Sequence, residues 1–345
     1  MNKLISTQRT QSPQRKDEWR YNRFANFVIS VFFVAKKTNF RWMASTILGV
    51  LTLGVIGVGC QTTKVTRSAE TEALAVGQPT ATNDAPVKAG LYCGLGSRGA
   101  NLVYWGKILK DSPDVELTYL DGEDLRNGKL DGLDILVMPG GSSKKQYDSM
   151  KEEEGAEAIR RFIRGGGKYF GTCAGLSLLL EETNRVALLP YRRIDGYYAR
   201  GGGDVKVEFN EEWMGKLAIT NANWSIRFHD GPVVTMTNDI ADIRAEVMAL
   251  CRNAVDEHGK KPTEQRDSMI GTPAFIYATC GKGEIIACNC HPEGKKTTRE
   301  LLSAVFDLLV GRRIAIPNFE NFPKGYKFNA DGTKETLQKA VKELK

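Results

Sequence analysis

The stretch Lys168-Tyr-Phe-Gly-Thr-Cys-Ala-Gly-Leu-Ser-Leu-Leu-Leu180 decides the fold. A short strand over Lys168–Phe170 runs into Gly171-Thr172-Cys173-Ala174-Gly175, and a helix starts immediately over Leu176–Leu180. A reactive side chain between two glycines, at a strand-to-helix turn, has elbow geometry: the turn is tight, so its neighbours must be small. The side chain then projects from the carboxyl edge of a sheet, and the helix N-terminus behind it favours an anionic sulfur. The plain alternative is a buried structural cysteine beside a Gly-rich turn.

Outward from this point the elements alternate. Ala89–Cys93 reads as a first strand, followed by a Gly-rich loop over Gly94–Gly99 and a helix over Ala100–Leu109. Val115–Leu120 alternates and is broken by Asp121-Gly122. Leu133–Met138 is a continuous apolar run, as in buried parallel strands, and ends in Pro139-Gly140-Gly141. Gly155–Arg164 places Ala156, Ile159, Phe162 and Ile163 on one helical face and stops at Gly165-Gly166-Gly167. This order predicts an α/β fold with a parallel sheet, right-handed crossovers and helices on both faces. Residues 190–270 read as less regular, with strands over Val205–Phe209 and Pro232–Met236 and an exposed polar loop over Glu257–Ser268. Ala274–Ala278 and Glu284–Cys288 form a hairpin around Gly281-Lys282-Gly283. Thr297 and Glu300 form a capping box that opens a helix through Leu309, and a last amphipathic helix lies near 333–344.

The elbow has a partner in Cys290-His291-Pro292-Glu293, which follows the second hairpin strand. Histidine supplies the base for a thiol, and a carboxylate two residues on can orient the imidazole. Of the three histidines, His258 falls in the polar loop, and His229, in Arg227-Phe-His-Asp-Gly-Pro232, is the competitor for the role of base. Cys93 is a candidate second thiol of the site, which would suit a redox sensor, and Arg98 a candidate clamp for a carboxylate. Alternation puts Cys288 and Cys290 on one face; with Cys280 they offer a disulfide in an oxidising compartment. A zinc site from these with His291 lacks a CxxC pair, so no metal and no cofactor is assigned.

Met138-Pro-Gly-Gly141, Gly166–Gly175, Arg227–Pro232 and a Gly-Lys-Gly turn before His291-Pro-Glu293, in this order, resemble the class I glutamine amidotransferase-like superfamily. The closer likeness is to the N-terminal domain of one class of biotin protein ligases, over roughly residues 88–312. The resemblance implies a flavodoxin-like sheet, Cys173 as nucleophile, His291 as base and Glu293 as orienting acid. It also implies an oxyanion hole from backbone N–H groups around Gly140, Gly141 and Ala174, with His229 lining the pocket. One position departs: glutamine-hydrolysing members carry Gln where this chain has Ser177, which weakens glutamine specificity. No ligase catalytic domain is expected after Arg313, so biotin ligation is not the expected reaction.

Charge and the leader bear on location. Residues 1–59 hold nine Lys or Arg against two acids, which accounts for the whole net charge of +7; the rest is balanced. The basic excess therefore does not mark a nucleic-acid surface. Met43–Gly59 is uncharged and mostly apolar, follows Lys36, Lys37 and Arg41, and ends at Cys60. That pattern predicts a secretory leader over 1–60 with a lipobox-like end and lipidation at Cys60; an uncleaved anchor is the alternative. A second apolar patch, Phe24–Ala35, leaves Met1 or Met43 as the start. Residues 61–87 read as a flexible tether and 313–345 as a tail with a short helix. The expected protein is lipid-anchored in a bacterial envelope, with its domain outside the cytoplasm. It is a cysteine hydrolase or amidase-like protein acting on a small molecule, or a non-catalytic small-molecule binder on the same fold.

Overall fold

The computed structural model describes residues 85–97, 99–194, 201–255, 268–319 and 334–344. The leader with Cys60, the tether up to residue 84, Arg98, His258 and most of the 257–268 loop lie outside the described residues.

In chain order the strands are β1 Val87–Tyr92, β2 Val115–Leu120, β3 Ile135–Met138, β4 Lys168–Thr172, β5 Tyr191–Arg193, β6 Gly202–Phe209, β7 Asn223–His229, β8 Val234–Met236, β9 Ile243–Cys251, β10 Pro273–Cys280 and β11 Gly283–Cys288. The helices are α1 Ala100–Asp111, α2 Gly122–Arg126, α3 Ser143–Ser149, α4 Glu153–Arg164, α5 Ala174–Leu179, α6 Glu211–Leu217, α7 Arg299–Val310 and α8 Lys334–Glu343. Nine strands make one sheet in the order β2-β1-β3-β4-β11-β10-β9-β6-β7. The first five are parallel, in the doubly wound arrangement in which chain order reverses between β1 and β3. From β11 outward every pairing is antiparallel.

Alternation along the strands divides the interior in two. Phe170 on β4 faces one core, where Trp105 of α1 and Phe306 of α7 both meet it edge to face, with centroids 5.3 and 5.7 Å away. Tyr169, its neighbour, faces the other core with Leu176 of α5 and Ile159 and Ile163 of α4. The helix at Glu153–Arg164 forms because these apolar residues fall three and four apart, with Glu153 and Glu154 in its first turn and Arg161 and Arg164 in its last.

The structure departs from the sequence reading in three places. Residues 201–251 are regular: β6, β7 and β9 with α6 extend the sheet. The expected capping box at Thr297 is absent; Thr298 precedes the helix, and its hydroxyl donates to the carbonyls of Pro292 and Lys295 instead. A 3₁₀ turn over Lys296–Thr298 leads straight into α7, so no side-chain cap forms. None of the described cysteines forms a disulfide. Cys280 faces one core while Cys288 and Cys290 face the other, so the sheet itself separates Cys280 from the pair.

Candidate active site

β4 pairs in parallel with β11, so Thr172 stands beside Cys288. Cys173 donates its N–H to the Cys288 carbonyl at 2.8 Å and then turns sharply, with φ 52° and ψ −101°. That backbone is strained for any residue with a side chain. The neighbouring positions tolerate none at all. A Cβ on Gly175 would sit 2.2 Å from the Met138 carbonyl oxygen, and one on Gly171 2.6 Å from the Tyr169 ring. The Gly-x-Cys-x-Gly spacing is thus a packing requirement of the elbow, and Cys173 is delivered to the carboxyl edge, 6% exposed.

The β3 loop closes over it. Gly140 presses on both Cys173 and His291: a Cβ there would lie 2.4 Å from His291 Cε1 and 3.4 Å from Cys173 Cβ. The loop is pinned by Ser142, which donates its N–H to the Gly96 carbonyl at 2.8 Å, and by Gln146, whose amide donates to the Pro139 carbonyl at 3.0 Å. The Gly141 and Ala174 N–H groups meet no acceptor among the described residues.

His291 arrives from the end of β11. Its N–H donates to the Arg227 carbonyl at 2.7 Å, a bridge that fixes the ring's position. Nδ1 lies 2.8 Å from Glu293 Oε1, which leaves Nε2 for the Cys173 sulfur. Both residues are buried, His291 at 3% and Glu293 at 0% exposure. Burial works against the imidazolium. The Cys173 sulfur, then the Glu293 carboxylate, outweigh burial and hold the ring's pKa well above its ordinary value. The Cys173 thiol also lies 3.5 Å from the His229 carbonyl, to which it can donate.

The structure brings together Cys173, His291, Glu293, Gly140, Gly141 and Ala174. It does not bring in Cys93. That thiol donates to the Leu120 carbonyl at 3.4 Å, and burial pushes its pKa up to about 12. Alternation explains this: Ala89, Leu91 and Cys93 share one core face, under α1. The redox-sensor reading loses its second thiol. His229 contributes a carbonyl; its side chain is 58% exposed and faces Asp230 at 3.8 Å. Ser177 is buried with its hydroxyl 3.1 Å from that of Ser143. Among the described residues no group of three His, Cys, Asp or Glu side chains is placed to hold a metal.

Two supporting residues gave no signal in the sequence. Gln146 anchors the loop from within α3. Arg299, at the start of α7, is buried and donates from Nη1 to the Glu293 carbonyl at 2.8 Å. Its guanidinium packs over the Phe319 ring at 4.6 Å, and its pKa is lowered by burial with Glu293 opposing. An arginine six residues past Glu293 reads as helix surface until the 3₁₀ turns bring it back.

Comparison with known proteins agrees with this segment. The family model described as "Biotin-protein ligase, N terminal" matches residues 130–177, from the approach to β3 through the elbow. A pyridoxal 5'-phosphate synthase subunit PdxT of Listeria monocytogenes serotype 4b is 39% identical over 94 residues, 26% of this chain and 50% of that protein. The PdxT subunit of Desulfitobacterium hafniense strain DSM 10664 is 32% identical over 131 residues, 36% of this chain and 62% of that protein. The chain thus spans about half to two-thirds of the length of these curated relatives. A solved glutamine amidotransferase aligns with 65% of this chain and 98% of its own at 20% identity and a TM-score of 0.42. The family model and the curated relatives support the resemblance at the level of the superfamily.

Proposed function

We propose that this chain is a cysteine-dependent acyl-transfer enzyme, an amidase or hydrolase of the glutamine amidotransferase-like kind. The observation that carries the reading is the strained Cys173 elbow placed against a buried His291–Glu293 pair. In the proposed reaction the Cys173 sulfur attacks a carbonyl carbon, and the oxyanion forms beside the Gly141 and Ala174 N–H groups. His291 takes the thiol proton and returns it to the leaving amine, which departs and leaves a thioester. Water, deprotonated by His291, then cleaves the thioester to a carboxylic acid and the free thiol. Glu293 on Nδ1 keeps the ring oriented through both steps. Ser177, its hydroxyl directed to Ser143, supports a substrate other than glutamine.

The test is an activated ester such as p-nitrophenyl acetate. A burst of one equivalent of nitrophenol with an acetyl adduct on Cys173 by mass spectrometry is expected, absent in Cys173→Ala. No adduct on Cys173 would leave a small-molecule binding protein as the better reading. The proposal extends to a lipid anchor, supported by the apolar run from Met43 to Gly59 that ends at Cys60. A fatty acid label should mark the wild type and not Cys60→Ala; equal labelling of both would remove the anchor.

A further inference from the structure

Glu293 is held at one oxygen only. Oε1 meets His291 Nδ1 at 2.8 Å, while Oε2 is buried and meets no partner among the described residues. The last torsion of a glutamate side chain is soft, so a contact at one oxygen leaves the carboxylate free to turn about it. A buried polar atom without a hydrogen bond is costly, and folded proteins keep few of them.

The complementary donors lie on Arg299. Two 3₁₀ turns, Pro292–Gly294 and Lys296–Thr298, fold the chain back so that Arg299 stands over the turn that carries Glu293. Thr298 locks the reversal by donating to the Pro292 and Lys295 carbonyls. Nη1 donates to the Glu293 carbonyl at 2.8 Å, and the Phe319 ring covers one face of the guanidinium at 4.6 Å. Nε and Nη2 are buried and meet no partner among the described residues. Their N–H bonds lie along one edge of the planar guanidinium and form a fork.

One acceptor and two parallel donors, all buried, thus sit on two residues already in contact. A single water answers all three: it accepts from Nε and Nη2 and donates to Oε2, about the number of bonds a buried water makes. We infer that Arg299 is a positioning residue for Glu293, and that its Nε–Nη2 fork and Glu293 Oε2 share one bound water. The water fixes the plane of the carboxylate, so Oε1 stays on Nδ1 and the ring keeps Nε2 toward the Cys173 sulfur. That this geometry serves acyl transfer rests on the proposed function; the bridge between Arg299 and Glu293 does not.

A crystal structure of the full chain should place one water within hydrogen-bond reach of Oε2 and of the fork. Direct contact between fork and carboxylate, or a fork bonded to other protein atoms, overturns the bridge. Two variants of the full chain read what it does. Arg299→Met keeps a stem to pack on Phe319 but has no donor; Arg299→Lys keeps charged donors. The chain has three histidines, so the low-field Nδ1 proton of His291 is assigned by its loss in His291→Ala. That signal should persist in Arg299→Lys and be lost by exchange with solvent in Arg299→Met. Iodoacetamide modification of Cys173 should slow about fivefold in Arg299→Met, in line with one lost hydrogen bond. The same substitution should slow it by less than about twofold when Glu293 is already Gln. Equal slowing in both backgrounds overturns the inference, as does like behaviour of Arg299→Met and Arg299→Lys, since either marks a packing role. If wild-type modification is no faster than that of glutathione, the acyl-transfer reading fails, and the Nδ1 signal still decides for or against Arg299.

Discussion

The parallel half of the sheet has two edges, and they are built differently. At the amino edge the strands open onto a cavity of about 1160 Å³ bordered by Lys88, Asp134, Arg161, Lys168 and Arg312, with the glycine run at 165–167. Among the described residues no cysteine, histidine, serine or threonine lines it. Lys168 pairs with Glu284 at its rim, both about a quarter exposed, where solvent screens such a pair. At the carboxyl edge His291 and Glu293 are buried, and the backbone at Cys173 is strained. In an open α/β sheet, ligands bind beyond the carboxyl ends of the strands, near the reversal of strand order. Room alone therefore marks nothing here. What distinguishes the working edge is that buried polar groups are aimed at one another.

The largest contrast should appear in thiol chemistry. His291→Ala should slow iodoacetamide modification of Cys173 near neutral pH by about a hundredfold, the lower range for loss of a positioned base. Lys168→Ala, at the opposite edge, should leave the rate unchanged. Equal rates in the wild type and His291→Ala would remove the distinction between the edges.

Stability should follow the same division. Gly175→Ala forces a methyl against the Met138 carbonyl and should cost about 3 kcal/mol, as overpacking does. Lys168→Ala should cost under about 1 kcal/mol, because its partner is partly solvated. Denaturant midpoints of both variants measure this directly.

Glu293→Gln should act in the same direction as His291→Ala but more weakly, by about tenfold, since the base itself remains. The pH dependence has a defined sign. The folded-state pKa of His291 is raised, so the charged ring's contribution to stability is fully present below 6.5, its ordinary value. It is lost as pH rises through the raised value. The stability gap between the wild type and Glu293→Gln should therefore close toward alkaline pH, as thermal unfolding across a pH series would show.

The smallest effect concerns α8. Lys334 pairs with Asp121, just after β2, at 2.9 Å and with Asp124 in α2. Burial opposes the Asp124 carboxylate, but Lys129 and Lys334 hold its pKa down at about 2. That contribution is present above 3.8 and is lost as pH falls through about 2. Amide exchange of Leu337 to Val341 should speed up in Lys334→Ala at neutral pH. In the wild type it should speed up only in strong acid.

The parallel half was legible because each of its signals is local and strong. Val115–Leu120 alternates between turn residues, and the glycines around Cys173 announce a turn that nothing larger could make. The antiparallel half was not. In β9 the exposed or half-exposed positions Arg244, Glu246 and Val247 interrupt the apolar pattern, and pairing with β10 is shifted near Pro273 and Phe275. At the site, Cys173 was singled out by its flanking glycines and His291 and Glu293 by their spacing after a strand, and the structure places the three together. Cys93 misled because its nearness to the loop in sequence says nothing of the face it takes. Arg299 and Gln146 were hidden because an arginine and a glutamine on helices carry no mark of what they will hold.

The backbone angles of Cys173 have a consequence for how the residue is kept. At φ 52° a glycine would relieve the strain that any side chain imposes. Folding by itself would therefore accept, and even favour, a chain without the thiol. A Cys173→Gly protein should melt higher than the wild type while losing its reactivity. The sulfur is held in place against the preference of the fold around it, a trade of thermal robustness for chemistry confined to one residue.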